Sequence, residues 1–105
     1  RTIRHMTTSS LYTVPCDHPA FAGHFPGEPI LPGVVLLDIA LQTIAVASHI
    51  SFSHCSINTV KFLHPARPGD ELSISHRHTD SGMIYFDIST ARHKIASGSL
   101  VLNPP

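Results

Sequence analysis

Two side chains fourteen positions apart carry the strongest chemical signal in this sequence: His24, in a stretch dense in proline and glycine, and Asp38, inside an apolar run. A neutral imidazole is a proton acceptor suited to neutral pH. A carboxyl group among apolar side chains is driven toward its protonated, proton-donating form. Together they offer a general base and a general acid. Gly33, at the start of the same apolar run, would give a developing anion an unpaired backbone N–H and the positive end of a helix dipole, with no side chain in the way. Gln42 lies one helical turn beyond Asp38 on the same face, where its amide can hold the carboxyl or a water.

Other chemistries find less support. His76 and His78 stand two apart, on one side of a strand, yet no third ligand has zinc-like spacing, so a solvated strand face is expected and no metal. The sequence contains neither a Gly-x-Ser-x-Gly elbow nor a Gly-x-Gly-x-x-Gly or Walker sequence, which argues against a serine nucleophile of that type and against nucleotide cofactors. Cys16 and Cys55 are too few for a disulfide framework and are expected to be small buried hydrophobes.

The elements that must position the candidates follow from patterning. Thr8 to Val14 reads as a strand ended by Pro15, and Asp17 to Gly33 as an ordered loop whose prolines and glycines dictate its geometry. Pro32-Gly33 opens a helix running from Val34 to about Ile50, apolar on nearly every face and therefore predicted to be buried all round. Ile57 to Leu63, Glu71 to Thr79, Met83 to Thr90 and Ile95 to Leu102 alternate with period two and read as strands. Their short connections predict antiparallel neighbours in an α+β domain.

Composition sets the outer limits. At 105 residues one domain is expected, and seven Lys+Arg cancel seven Asp+Glu, so the broad basic surface of a nucleic-acid binder is missing. The charged share of 13% against 42% apolar predicts that some surface is hidden in a homo-oligomer. No apolar run reaches the 18 or more residues of a membrane span, so no membrane partner is expected and the cytoplasm is the expected location. Residues 1–5 read as a possible cloning remnant, with a single domain over 6–105.

The stretch from Gly23 to Gln42 (GHFPGEPILPGVVLLDIALQ) resembles the signature of the hotdog-fold 3-hydroxyacyl-[acyl-carrier-protein] dehydratases, the FabA/FabZ-like family, in which a loop histidine precedes a helix acid by fourteen positions. Val60 to Leu72 (VKFLHPARPGDEL) is similar to the family's strand leading into a Pro-Gly-Asp turn. The resemblance implies an antiparallel sheet wrapped around one long buried helix, and a dimer in which His24 of one subunit faces Asp38 of the other across an acyl tunnel. It also implies that the Ile30 carbonyl orients His24, that Gly33 binds the thioester oxygen, and that Pro29, Leu31, Val34 and Gln42 line the substrate, with Phe21 and Phe25 either lining the acyl entrance or anchoring the loop. The implied reaction converts a 3-hydroxyacyl thioester on acyl carrier protein to the trans-2-enoyl thioester, with no cofactor, as in short members serving specialised pathways such as aryl polyene synthesis. The competing readings are a hotdog acyl thioesterase and a non-catalytic acyl-binding subunit of a hotdog heterodimer. Lys61, Arg67, Arg77 and Arg92 are more simply solvated cations than a carrier-protein dock.

Overall fold

The computed structural model describes residues 7–17, 30–49 and 55–102. His24, Phe21, Phe25, Pro29 and the leader at residues 1–5 lie outside them. The chain forms β1 (Thr7–Thr13), α1 (Gly33–Ser48), β2 (Cys55–Phe62), β3 (Glu71–His78), β4 (Met83–Ser89) and β5 (Lys94–Leu102), within about two residues of the elements read from the sequence. The strands make one antiparallel sheet in the order β1-β3-β4-β5-β2. Their alternation places Leu72 and Ile74 of β3 and Ile84, Phe86 and Ile88 of β4 in the core, where they meet Leu36, Ala40 and Ile44 of α1. Among the described residues no helix is long and apolar enough to cross a membrane.

Three expectations are corrected. First, β2 does not pair with β3, its neighbour in sequence, but with β5, Phe62 standing opposite Ala96 and Cys55 opposite Leu102. The 63–70 connection therefore crosses the sheet end instead of forming a hairpin, and β2 becomes an edge strand. Second, α1 is covered on one side only: Val34 is 82% exposed and Val46 77%, with Asp38 and Gln42 exposed between them. One sheet face can bury only one side of a helix, so the all-round apolarity exceeds what this chain alone can cover. Third, the cysteines are not both buried, since Cys16 is exposed and Cys55 half-buried.

The His76 and His78 side chains also depart from the solvated face expected of them. His76 is 3% exposed, and both Nε2 atoms converge on the Ser48 hydroxyl at the end of α1, at 3.2 Å for His76 and 2.9 Å for His78. The Nδ1 of His76 is buried without a partner among the described residues. Burial, and secondarily the charge of His78, hold the His76 imidazole below its ordinary value of 6.5. The folded protein thus resists protonation there while the unfolded chain accepts the proton, so stability is lost as pH falls through 6.5 toward the lowered folded value. At fixed protein concentration, the urea midpoint should fall between pH 7 and pH 5, and His76→Gln should flatten that fall. Parallel profiles for parent and variant would refute the assignment.

A second packing constraint sits at Gly98, opposite both Val60 and Phe86. The β2–β5 register shifts between Ile57 and Thr59, and a Cβ at position 98 would strike the Thr59 carbonyl and come within 2.7 Å of the Phe86 ring. Gly98→Ala should destabilise the fold by about 1–3 kcal/mol, which corresponds to a melting temperature lower by roughly 4–8 °C per kcal/mol. An unchanged midpoint in thermal unfolding would show that the β2 bulge can shift freely.

Candidate active site

The helix start is built by Pro32, whose φ of −57° and ψ of 144° place it as the N-cap, with no side-chain cap. Pro32 itself brings no N–H, and its carbonyl accepts from Leu36 at 3.0 Å. Gly33 is the first helical residue, so its N–H has no partner within the helix. The ring of Phe62 fills the space a side chain at Gly33 would take, with carbon atoms 3.1–3.4 Å from an ideal Cβ. Gly33 and Phe62 line a cavity of about 380 Å³ together with Ile30, Leu31, Leu36 and the 63–66 segment.

About one and a half turns beyond Gly33, the Asp38 carboxylate accepts at Oδ2 from Gln42 Nε2 at 2.8 Å, the i,i+4 pairing expected from the sequence. This bond engages Oδ2 and orients the carboxyl along the helix surface. Asp38 borders a second cavity of about 320 Å³, walled by Leu41, Cys55, Ser56, Ile57 and Leu100. Within the described chain Gly33 and Asp38 therefore open into different cavities, and Asp38 is exposed, so the burial expected of its carboxyl is not supplied by this chain. Val34 lies on the same open stripe of the helix, while Leu31 is buried beside the first cavity.

The second motif anchors the first. Gly69 adopts φ +82°, a left-handed conformation that favours glycine, and its N–H donates to the Val14 carbonyl at 2.9 Å. Val14 N–H donates back to the Asp70 carbonyl at 2.8 Å, and the Asp70 carboxylate accepts from the Arg67 N–H at 2.9 Å. Leu31 N–H donates to the Ala66 carbonyl at 2.8 Å in an isolated antiparallel bridge.

Sequence reasoning missed Phe62 and Cys55 as lining residues because both depend on β2 lying beside α1, which its pairing with β5 decides. Among the described residues no group of three or more His, Cys, Asp or Glu side chains is placed to hold a metal.

Among the described residues a single helix packs on a five-stranded antiparallel sheet, the arrangement of a hotdog-type domain. The family model for ApeI-like proteins, described as ApeI dehydratase, matches residues 2–99, and the chain belongs to that family. The 3-hydroxyacyl-[acyl-carrier-protein] dehydratase FabZ of Haemophilus influenzae (strain PittEE) is 32% identical over 74 residues, covering 63% of this chain and 50% of that protein. The chain thus spans about half the length of the curated relatives it matches. Among solved structures, an uncharacterized protein from Erwinia carotovora subsp. atroseptica superposes with a TM-score of 0.78 at 26% identity, over 99% of this chain and 88% of that one. The dehydratase heterocomplex ApeI:P from Xenorhabdus doucetiae gives a TM-score of 0.77 at 23% identity, over 97% and 90%. The fold is therefore the hotdog fold implied by the motifs.

The two thiols offer a check on the placement of β2. Burial raises the Cys55 thiol above its ordinary value, whereas Cys16 is exposed. Because the thiolate is the reactive form, a small alkylating reagent should modify Cys16 well before Cys55, as followed by peptide mass spectrometry. Equal rates would place Cys55 in open solvent and contradict the cavity it lines.

Proposed function

We propose that the protein eliminates water from a 3-hydroxyacyl thioester on acyl carrier protein, giving the trans-2-enoyl thioester. The observation that carries this reading is the Asp38 carboxyl, oriented by Gln42, on the uncovered stripe of a mainly apolar helix whose first N–H belongs to Gly33. A second hotdog subunit, another copy of this chain or a related one, covers that stripe and desolvates Asp38, which favours the protonated acid. Where the covering subunit is a second copy of this chain, its His24 takes the proton from the carbon next to the thioester carbonyl. The electron pair forms the double bond as the carbon–oxygen bond to the hydroxyl breaks, and Asp38 gives its proton to the departing oxygen, which leaves as water. The Gly33 N–H and the helix dipole stabilise the charge that builds on the thioester oxygen. His24 ends protonated and Asp38 ionised, and proton transfer to solvent and back resets the pair.

His24→Ala and Asp38→Asn should each lower turnover by about 10²–10⁴-fold, the usual weight of a general acid or base, with assembly intact. Mixing the two inactive variants under conditions of subunit exchange should restore part of the activity, because one interface then combines an intact His24 with an intact Asp38. The assay follows the enoyl product and free thiol from a 3-hydroxyacyl carrier-protein substrate. Enoyl product supports the proposal. Free thiol without enoyl product would make the protein a thioesterase, and neither product would leave an acyl-binding subunit.

A further inference from the structure

Phe62 has an unusual position for a large aromatic residue. It ends an edge strand, is 50% exposed, and turns its ring toward the helix start and not into the core. Its backbone is nonetheless tightly held. Phe62 pairs with Ala96, and the next two N–H groups, of Leu63 and His64, both donate to the Ile95 carbonyl, at 2.8 and 3.2 Å. Leu31 and Ala66, which line the same cavity, are joined by a backbone bridge. The cavity is lined mainly by apolar groups. Among its described lining residues only His64 is titratable, and that ring is stacked on His93 with centroids 4.2 Å apart.

Resting on the dehydratase reading, we propose that Phe62 is the positioning residue of the thioester site, its ring standing in for the side chain that Gly33 lacks and walling a seat for the sulfur end of a pantetheine-linked substrate. The cavity holding Gly33 takes the carbonyl and sulfur. An apolar wall suits an uncharged, polarizable thioester sulfur, and an aromatic ring is a favourable neighbour for such a sulfur. By excluding water beside the helix start, the ring also keeps the Gly33 N–H from being screened by solvent. Phe62 touches no reacting atom and acts through the geometry of the seat.

The test has two independent arms. A double-mutant cycle of Gly33→Ala and Phe62→Ala, read by chemical denaturation, asks whether the ring and the missing side chain share one space. Gly33→Ala should be better tolerated with Ala at position 62 than with Phe, by about threefold or more in the folding equilibrium. Strict additivity would overturn the packing on which the proposal stands.

In the second arm a 3-hydroxybutanoyl-pantetheine thioester serves as probe for both binding and turnover. Phe62→Ala should lower kcat/KM and weaken probe binding by about ten- to a hundredfold, while Phe62→Tyr, which keeps the ring, stays near the parent. Parent-like binding and turnover by Phe62→Ala would overturn the proposal, as would failure of the parent protein to bind the probe. If the parent binds the probe without forming enoyl product and Phe62→Ala loses binding, the seat stands and the elimination reading alone falls.

Discussion

An apolar helix carries more nonpolar surface than one sheet face can cover, and the rest of this structure is organised around that surplus. Leu36, Ala40 and Ile44 are buried against β3 and β4, whereas Val34 and Val46 remain open to solvent. Desolvating exposed aliphatic side chains is worth roughly 25 cal/mol per Å², so an uncovered stripe of this kind favours association with a second apolar surface. Asp38 and Gln42 sit in the middle of that stripe, hydrogen-bonded to one another. A lone carboxylate would oppose such burial. Tied to an amide one turn away, it keeps a hydrogen-bonding partner when water leaves.

Much of the architecture is legible in the sequence because each strand has a local signature. Leu72, Ile74 and the 84–88 stretch alternate cleanly, and the breaks at Pro68-Gly69 and Ser81-Gly82 coincide with positive φ at both glycines. The pairing of β2 is not legible in the same way. Proximity in sequence favours β3, and only the tertiary arrangement, with Gly98 making room for Thr59 and Phe86, shows that β5 is the partner. His76 misleads for a related reason. A histidine on a strand reads as solvated, and the Ser48 hydroxyl that satisfies its Nε2 lies 28 residues away at the end of the helix.

The candidate site divides along the same line. Contacts at helical spacing, Asp38 with Gln42, and the glycine at the first helical position are fixed by local geometry and could be named from the residues alone. Phe62 against Gly33, and Cys55 in the cavity of Asp38, depend on which strand lies beside α1. Nor does the sequence of one chain reveal how far its helix is covered: the pattern that reads as complete burial is, in this chain, half a core and half an open face.

The two sequence motifs, separated by residues 43–59, form one mechanical unit. The chain leaves β1 at Val14, which exchanges hydrogen bonds with Gly69 and Asp70, and just before α1 Leu31 is bonded to Ala66. Both stems of the intervening proline- and glycine-rich stretch are thus fastened to a single five-residue segment, which the left-handed Gly69 and the Asp70–Arg67 bond hold in shape. Fixing both stems on one rigid support removes most of the freedom of the two ends. The Pro-Gly-Asp turn therefore needs no chemical role of its own to matter to the site. Its geometry sets where the stretch containing His24 begins and ends, and it does so next to the same helix start that presents Gly33.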